Sequence, residues 1–159
     1  MTDVCMIIGA GAGIGGHVGK RFAAEGYHAA LCRRSDQQGL DQMVSEIEAA
    51  GGQASGHLLN AVDEGAIEKL IDEVEADIGP INILVYNLGA QIGNRSLADT
   101  PLKTFELGWR MGTLGLFRVA QKLFPKMAER GGGALLVTSA TSAMRGNAGQ
   151  HSHAAAMGG

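Results

Sequence analysis

Cysteine is scarce: two residues in 159, Cys5 and Cys32, both inside apolar runs and without C-x-x-C spacing. That pattern argues against a disulfide scaffold or a metal module and fits reduced thiols in an interior. Prolines number three and no G-X-Y period is present, which excludes collagen. An excess of positive charge is missing too, with 13 Lys and Arg against 16 Asp and Glu. The only adjacent cationic pairs are Lys20-Arg21 and Arg33-Arg34, so nucleic acid is not an expected partner. Glycine and polar residues interrupt every apolar run well short of a membrane span, and the stretch from Met1 to Ile8 has no basic leader. A cytoplasmic location is therefore expected. What is abundant is apolar content, 45%, which with 18% charge excludes a disordered chain. Glycine stands apart, at 25 residues or about twice the usual share.

Hydrophobic patterning alternates strand and helix. Val4 to Ile8 is a short apolar run that stops at glycines, and His17 to Glu25 reads as a helix ending at Gly26. His28 to Cys32 is a second buried run. After it, Ser35 and Asp36 are cap candidates for a helix from Leu40 to Ala50 that ends at Gly51-Gly52. Ala54 to Leu59 gives a weaker strand, Glu64 to Ile78 an amphipathic helix and Ile81 to Tyr86 a strong strand. One long helix is predicted from Leu102 to Ala128, and a fifth strand from Ala134 to Thr138. Apolar strands without alternation, separated by helices, predict an α/β fold: a Rossmann-type, doubly wound parallel sheet of order 3-2-1-4-5. Residues 1–159 are expected to form a single dinucleotide-binding domain.

The run Gly9-Ala10-Gly11-Ala12-Gly13-Ile14-Gly15-Gly16 lies where the first strand hands over to the first helix. A three-glycine pattern is expected roughly 0.6 times by chance at this glycine frequency, so its position carries the inference. Glycines let backbone amides approach a pyrophosphate, and the helix N-terminus behind them favours its charge. At the end of the second strand stand Arg33 and Arg34, where an NAD enzyme places a carboxylate for the ribose 2′-hydroxyl. A cation pair there favours the 2′-phosphate of NADP over NAD; a solvated surface pair is the alternative.

These residues resemble the short-chain dehydrogenase/reductase family along the whole chain. Gly9-x-x-x-Gly13-Ile14-Gly15 is similar to its T-G-x-x-x-G-I-G loop, with Ile8 where threonine is usual. Asn60-Ala61 falls at the Asp-Val that contacts adenine, and Asn87-Leu88-Gly89 resembles the N-A-G signature. The resemblance implies hydride transfer between a nicotinamide cofactor and a carbonyl or alcohol, at a catalytic Asn, Ser, Tyr and Lys. Without a gap, those positions fall on Gly112, Ala140, His153 and Met157. An imidazole at His153 can exchange a proton near neutral pH, and Ser139 or Ser142 can hold a substrate oxygen if the loop shifts. Met157 supplies neither charge nor donor. An NADP(H)-dependent oxidoreductase with an altered active site is the leading expectation. The alternatives are a catalytically silent cofactor-binding protein and an interaction protein. The resemblance also implies that further strands and a substrate loop follow, so that the domain is C-terminally incomplete.

Gly108, Gly112 and Gly115 line one stripe of the predicted long helix, a place for another backbone to come close. Its other faces are largely apolar, with Phe105, Trp109, Leu116, Phe117 and Phe124. Family members pack this helix against its copy, so a homodimer or homotetramer is expected. Asp72, Glu73, Glu75 and Asp77 read as a solvated helix face, and Met6, Met43 and Met127 as core filling. His151 and His153 are spaced to point apart on a helix, so no metal site is expected.

Overall fold

The computed structural model describes residues 2–89, 95–146 and 148–159. Strands β1 (Val4–Ile8), β2 (His28–Arg33), β3 (Gln53–Leu58), β4 (Ile81–Tyr86) and β5 (Ala134–Val137) form one sheet. Its order is β3-β2-β1-β4-β5 and every neighbouring pair is parallel, the topology expected from the sequence. Helices α1 (Ile14–Ala24), α2 (Gln37–Ala49), α3 (Ala66–Asp77), α4 (Leu102–Trp109), α5 (Gly115–Glu129) and α6 (His151–Gly158) complete the α/β pattern.

Strand β1 shows why the central strands read as continuous apolar runs. Successive side chains point to opposite faces of a sheet. Val4, Met6 and Ile8 meet Ile71, Leu84, Val119 and Leu123 on the α3–α5 side. Cys5 and Ile7 meet Leu31, Leu40, Met43 and Ile47 on the α1–α2 side. Both faces are buried, so neither needs polar residues. The outer strands are more open, and β3 carries Ser55 and His57 among its partly buried positions.

Several sequence expectations change, α2 starting at Gln37 rather than Leu40 and α3 at Ala66 rather than Glu64. Helix α1 begins at Ile14, not His17, and takes in Gly15, Gly16 and Gly19. Interior glycine costs about 1 kcal/mol in a helix. Close packing outweighs that cost: a Cβ on Gly16 would stand 2.8 Å from Met43 Sδ, and one on Gly19 would run into Leu31. The expected helix from Leu102 to Ala128 is interrupted by a π-turn over Arg110–Leu114. Tyr86 donates its hydroxyl hydrogen to the Met111 carbonyl inside that turn. Gly115 makes the approach possible, since a Cβ there would collide with the Tyr86 hydroxyl.

The acidic run on α3 is more than a solvated face. Asp72 pairs with Lys122 at 2.7 Å and Lys126 at 2.9 Å, and Glu75 with Lys126 at 2.8 Å and Arg130 at 2.7 Å, tying α3 to α5. Burial pushes the Glu75 carboxyl up, but the bonds from Lys126 and Arg130 prevail and hold it below its ordinary value.

Candidate functional site

The loop after β1 is fastened on two sides. The amides of Gly9 and Ala10 both donate to Cys32 O at the end of β2, at 2.9 and 2.8 Å. At the end of β4, Asn87 donates its amide to Ile8 O at 2.8 Å and its Nδ2 to Gly9 O at 3.0 Å. Gly9 has φ +98°, and a Cβ there would lie 2.5 Å from Asn87 O. Gly15 is equally confined, with Ala10 Cα and Asn87 Nδ2 each 3.0 Å from its Cβ position. The Cβ positions of Gly11 and Gly13 meet nothing within 4 Å. Two glycines thus let strand, loop and helix close up, while two leave the outer surface of the loop clear. The first turn of α1 behind them carries amides without intrahelical acceptors.

Above the loop is a cleft of about 400 Å³. Of the residues singled out from sequence, Gly9, Gly11, Arg33, Arg34, Asn60, Ala61, Asn87, Leu88 and Gly89 line it. Ala12 borders a second hollow of about 310 Å³ between α1 and α2, which Arg33 also lines. Ile14 is 61% exposed, and Gly15 lies beneath the loop. Asn60 gives one Nδ2 hydrogen to Asp63 Oδ1 at 2.8 Å, which leaves its carbonyl oxygen and its second amide hydrogen for a base.

The 60–63 loop is held by two arginines that sequence reasoning passed over. Arg110 Nη2 donates to Val62 O at 3.2 Å, and both terminal nitrogens of Arg118 donate to Asp63 O at 3.1 Å. Arg118 also forks onto Glu68 at 2.8 and 2.6 Å; the bond lowers the carboxyl of Glu68 and raises the guanidinium. The signal available in the sequence was two arginines on a helix otherwise rich in apolar residues. Leu107 and Met111 also line the cleft, from the same stretch. Cys32 lies at the cleft floor, and burial pushes its thiol far above the ordinary range.

Of the positions that the resemblance assigns to catalysis, His153 and Met157 lie on α6 and Gly112 packs against it. His153, in its first turn, is 9% exposed. Ser139 donates its hydroxyl to Met157 O at 3.4 Å, which ties the segment after β5 to α6. Met157, at the position where the resemblance expects a lysine, has its Cε 4.0 Å from the Cβ position of Gly89, a residue that lines the cleft. Gly112 lies against Ala156, and Thr113 donates to the carbonyls of Ala155 and Ala156 at 3.3 and 3.4 Å. Ser142 also lies against α6 but lines a separate hollow with Ala154, Ala155 and Gly158, and its buried hydroxyl has no hydrogen-bond partner among the described residues. His151 Nε2 is bonded to Thr100 Oγ1 at 2.7 Å. Among the described residues no three His, Cys, Asp or Glu side chains converge as a metal site, and no helix is long and apolar enough to cross a membrane.

The short chain dehydrogenase family model matches residues 3–159. The chain belongs to that family. It is 29% identical over 156 residues to the 3-oxoacyl-[acyl-carrier-protein] reductase FabG of Thermotoga maritima, covering 98% of this chain and 63% of that protein. The 7alpha-hydroxysteroid dehydrogenase of Escherichia coli is 30% identical over 151 residues, 94% of this chain and 58% of that protein. The chain therefore spans about half to two thirds of the length of these short-chain dehydrogenases. A solved short-chain dehydrogenase from Rhodopseudomonas palustris superposes with a TM-score of 0.93 at 31% identity, over 99% of this chain and 73% of that one. Structures sharing the fold include complexes with NAD+ and with NADP.

Proposed function

We propose that residues 1–159 are the dinucleotide-binding domain of an NADP(H)-dependent short-chain oxidoreductase that interconverts a carbonyl and an alcohol at an altered active site. The observation that carries the cofactor half is the division of the glycine loop. Gly11 and Gly13 face open space beside a cleft whose β2 edge presents Arg33 and Arg34. The loop amides after Gly11 and the α1 terminus would hold the pyrophosphate, the arginines the 2′-phosphate, and Asn60 and Ala61 the adenine. Bound nicotinamide supplies the hydride chemistry. His153 would carry the proton to or from the substrate oxygen, and Ser139 would orient that oxygen.

A second reading has an observation of its own. Met157 brings an apolar side chain next to Gly89, and neither Gly112 nor Ala140 offers a side-chain polar group. Those features favour a protein that binds the cofactor and turns it over slowly or not at all. Titrating NADPH and NADH by fluorescence tests the cofactor; no binding at millimolar concentration overturns both readings. Single-turnover oxidation of bound NADPH by a panel of carbonyls, with His153→Phe as control, then separates enzyme from silent binder.

Assembly as a homodimer or homotetramer, in the cytoplasm, belongs to the same proposal. Phe117 is 60% and Phe124 48% exposed on α5, an apolar face suited to a second copy. Sedimentation showing only monomer at micromolar concentration would remove that part.

A further inference from the structure

Arg33 stands between the cofactor cleft and the smaller hollow and lines both. Its guanidinium is already engaged, with Nη1 3.2 Å from Asp36 Oδ2. Asp36 is also the N-cap of α2, its Oδ1 accepting the Gly39 amide at 2.9 Å. Its backbone, at φ 72° and ψ 69°, is the one non-glycine positive-φ conformation among the described residues. Gly39 makes room for the ion pair: a Cβ there would lie 3.0 Å from Arg33 Nη1 and would collide with Asp36 Oδ2.

The cap and the left-handed backbone do not call for a charge. Asparagine satisfies both, and glycine satisfies the backbone. The negative charge of Asp36 is needed by neither, and its one ionic partner among the described residues is Arg33. A guanidinium has a fixed set of donors, and each one committed to a carboxylate is withdrawn from a phosphate. A cofactor without a 2′-phosphate leaves the pair undisturbed. A cofactor with one must share Arg33 with Asp36 and bring its own negative charge close to the carboxylate.

We infer that Asp36 sets the cofactor preference of the site, competing for Arg33 with the 2′-phosphate and so narrowing discrimination between NADP(H) and NAD(H). This rests on the cofactor reading above. Asp36 touches neither hydride donor nor acceptor; it is a specificity residue acting through Arg33.

The test is a pair of fluorescence titrations, NADPH and NADH, on the wild-type chain, Asp36→Asn and Asp36→Gly. Both replacements remove the charge and tolerate the left-handed backbone, and the glycine variant controls for any new bond made by an asparagine amide. The expected result is a rise of about three- to tenfold in the NADPH-over-NADH affinity ratio for both variants at low ionic strength. At about 0.5 M salt the gain shrinks, because screening weakens an exposed charge. A structural role alone would move both cofactors together and leave the salt dependence unchanged. A ratio that stays constant or falls in both variants overturns the inference while leaving the cofactor reading intact. Binding of neither cofactor by the wild-type chain overturns both.

Discussion

Gly112 and Ala156 are in backbone contact: a methyl group on Gly112 would stand 2.9 Å from the Ala156 carbonyl carbon and would collide with its oxygen. The glycine stripe read from the sequence does admit a close neighbour, but at this position the neighbour is the chain's own α6. Gly115 likewise admits the chain's own Tyr86. The contact has a consequence for the active site, because the resembled family's catalytic asparagine falls on Gly112. Any larger residue there displaces the helix that carries His153.

Gly112→Ala is therefore expected to destabilise the fold by about 1–3 kcal/mol through overpacking. An ordinary exposed helix glycine would instead gain about 1 kcal/mol from alanine. The sign decides, and urea unfolding at neutral pH reads it. Gly112→Asn should be worse still, so restoring the family residue alone should not restore a catalytic site. A stabilised alanine variant would show that α6 yields easily at this contact.

Tyr86→Phe tests the π-turn from its other side. The hydroxyl donates to the Met111 carbonyl, and burial pushes the phenol far above its usual range, so it stays protonated throughout the working pH. Removing it leaves that carbonyl without its tyrosine donor at an expected cost of about 1–2 kcal/mol. A thermal melt measures the loss. Met111 also lines the cleft, so the same variant should weaken NADPH binding, and an unchanged cofactor affinity would separate the turn from the site.

How much of this was legible differs by element. Strand β1 was readable to the residue because Val4 to Ile8 is apolar throughout and stops at a glycine. The loop was readable because its glycines fall at a strand-to-helix junction, a position composition does not produce. The π-turn was not, since it depends on Tyr86 and α6, which are far away in sequence. The pairing of Arg33 with Asp36 was hidden for a related reason. Sequence presents an arginine pair and a cap candidate as separate features, and only the left-handed backbone of Asp36 brings them together.

Acid sensitivity is expected at the β2–β3 edge, away from the cofactor. Ser55 Oγ bonds both His28 Nε2 at 2.9 Å and His57 Nε2 at 2.8 Å. Burial lowers both imidazoles; the charge of His57 lowers His28 further, while Glu73 partly offsets the effect on His57. A folded-state value below the unfolded one means that the unfolded chain binds more protons in the window between them. Stability is full above the unfolded value of about 6.5 and falls as pH drops from there through the folded values. Urea midpoints at pH 7.5, 6.5 and 5.5 should fall in that order, and His28→Gln should flatten the slope. A midpoint independent of pH across this range would contradict it.

Met157 offers the sharpest test of what the altered site has lost. Its Cε lies 4.0 Å from the Cβ position of Gly89, which lines the cleft, and a lysine side chain has similar length. Met157→Lys should carry an ammonium to the same edge, where it can donate to ribose hydroxyls. NADPH affinity should rise roughly three- to tenfold, the order of one charged hydrogen bond partly offset by desolvation. Met157→Leu keeps the volume and the apolar character and should change nothing. Equal affinities for the two variants would mean that the nicotinamide end of the cofactor does not reach Gly89. A gain confined to lysine, without faster single-turnover oxidation, would place the remaining deficit at His153, Ala140 and Gly112. Those positions would then have to be changed together with α6, because Gly112 cannot enlarge while Ala156 stays where it is.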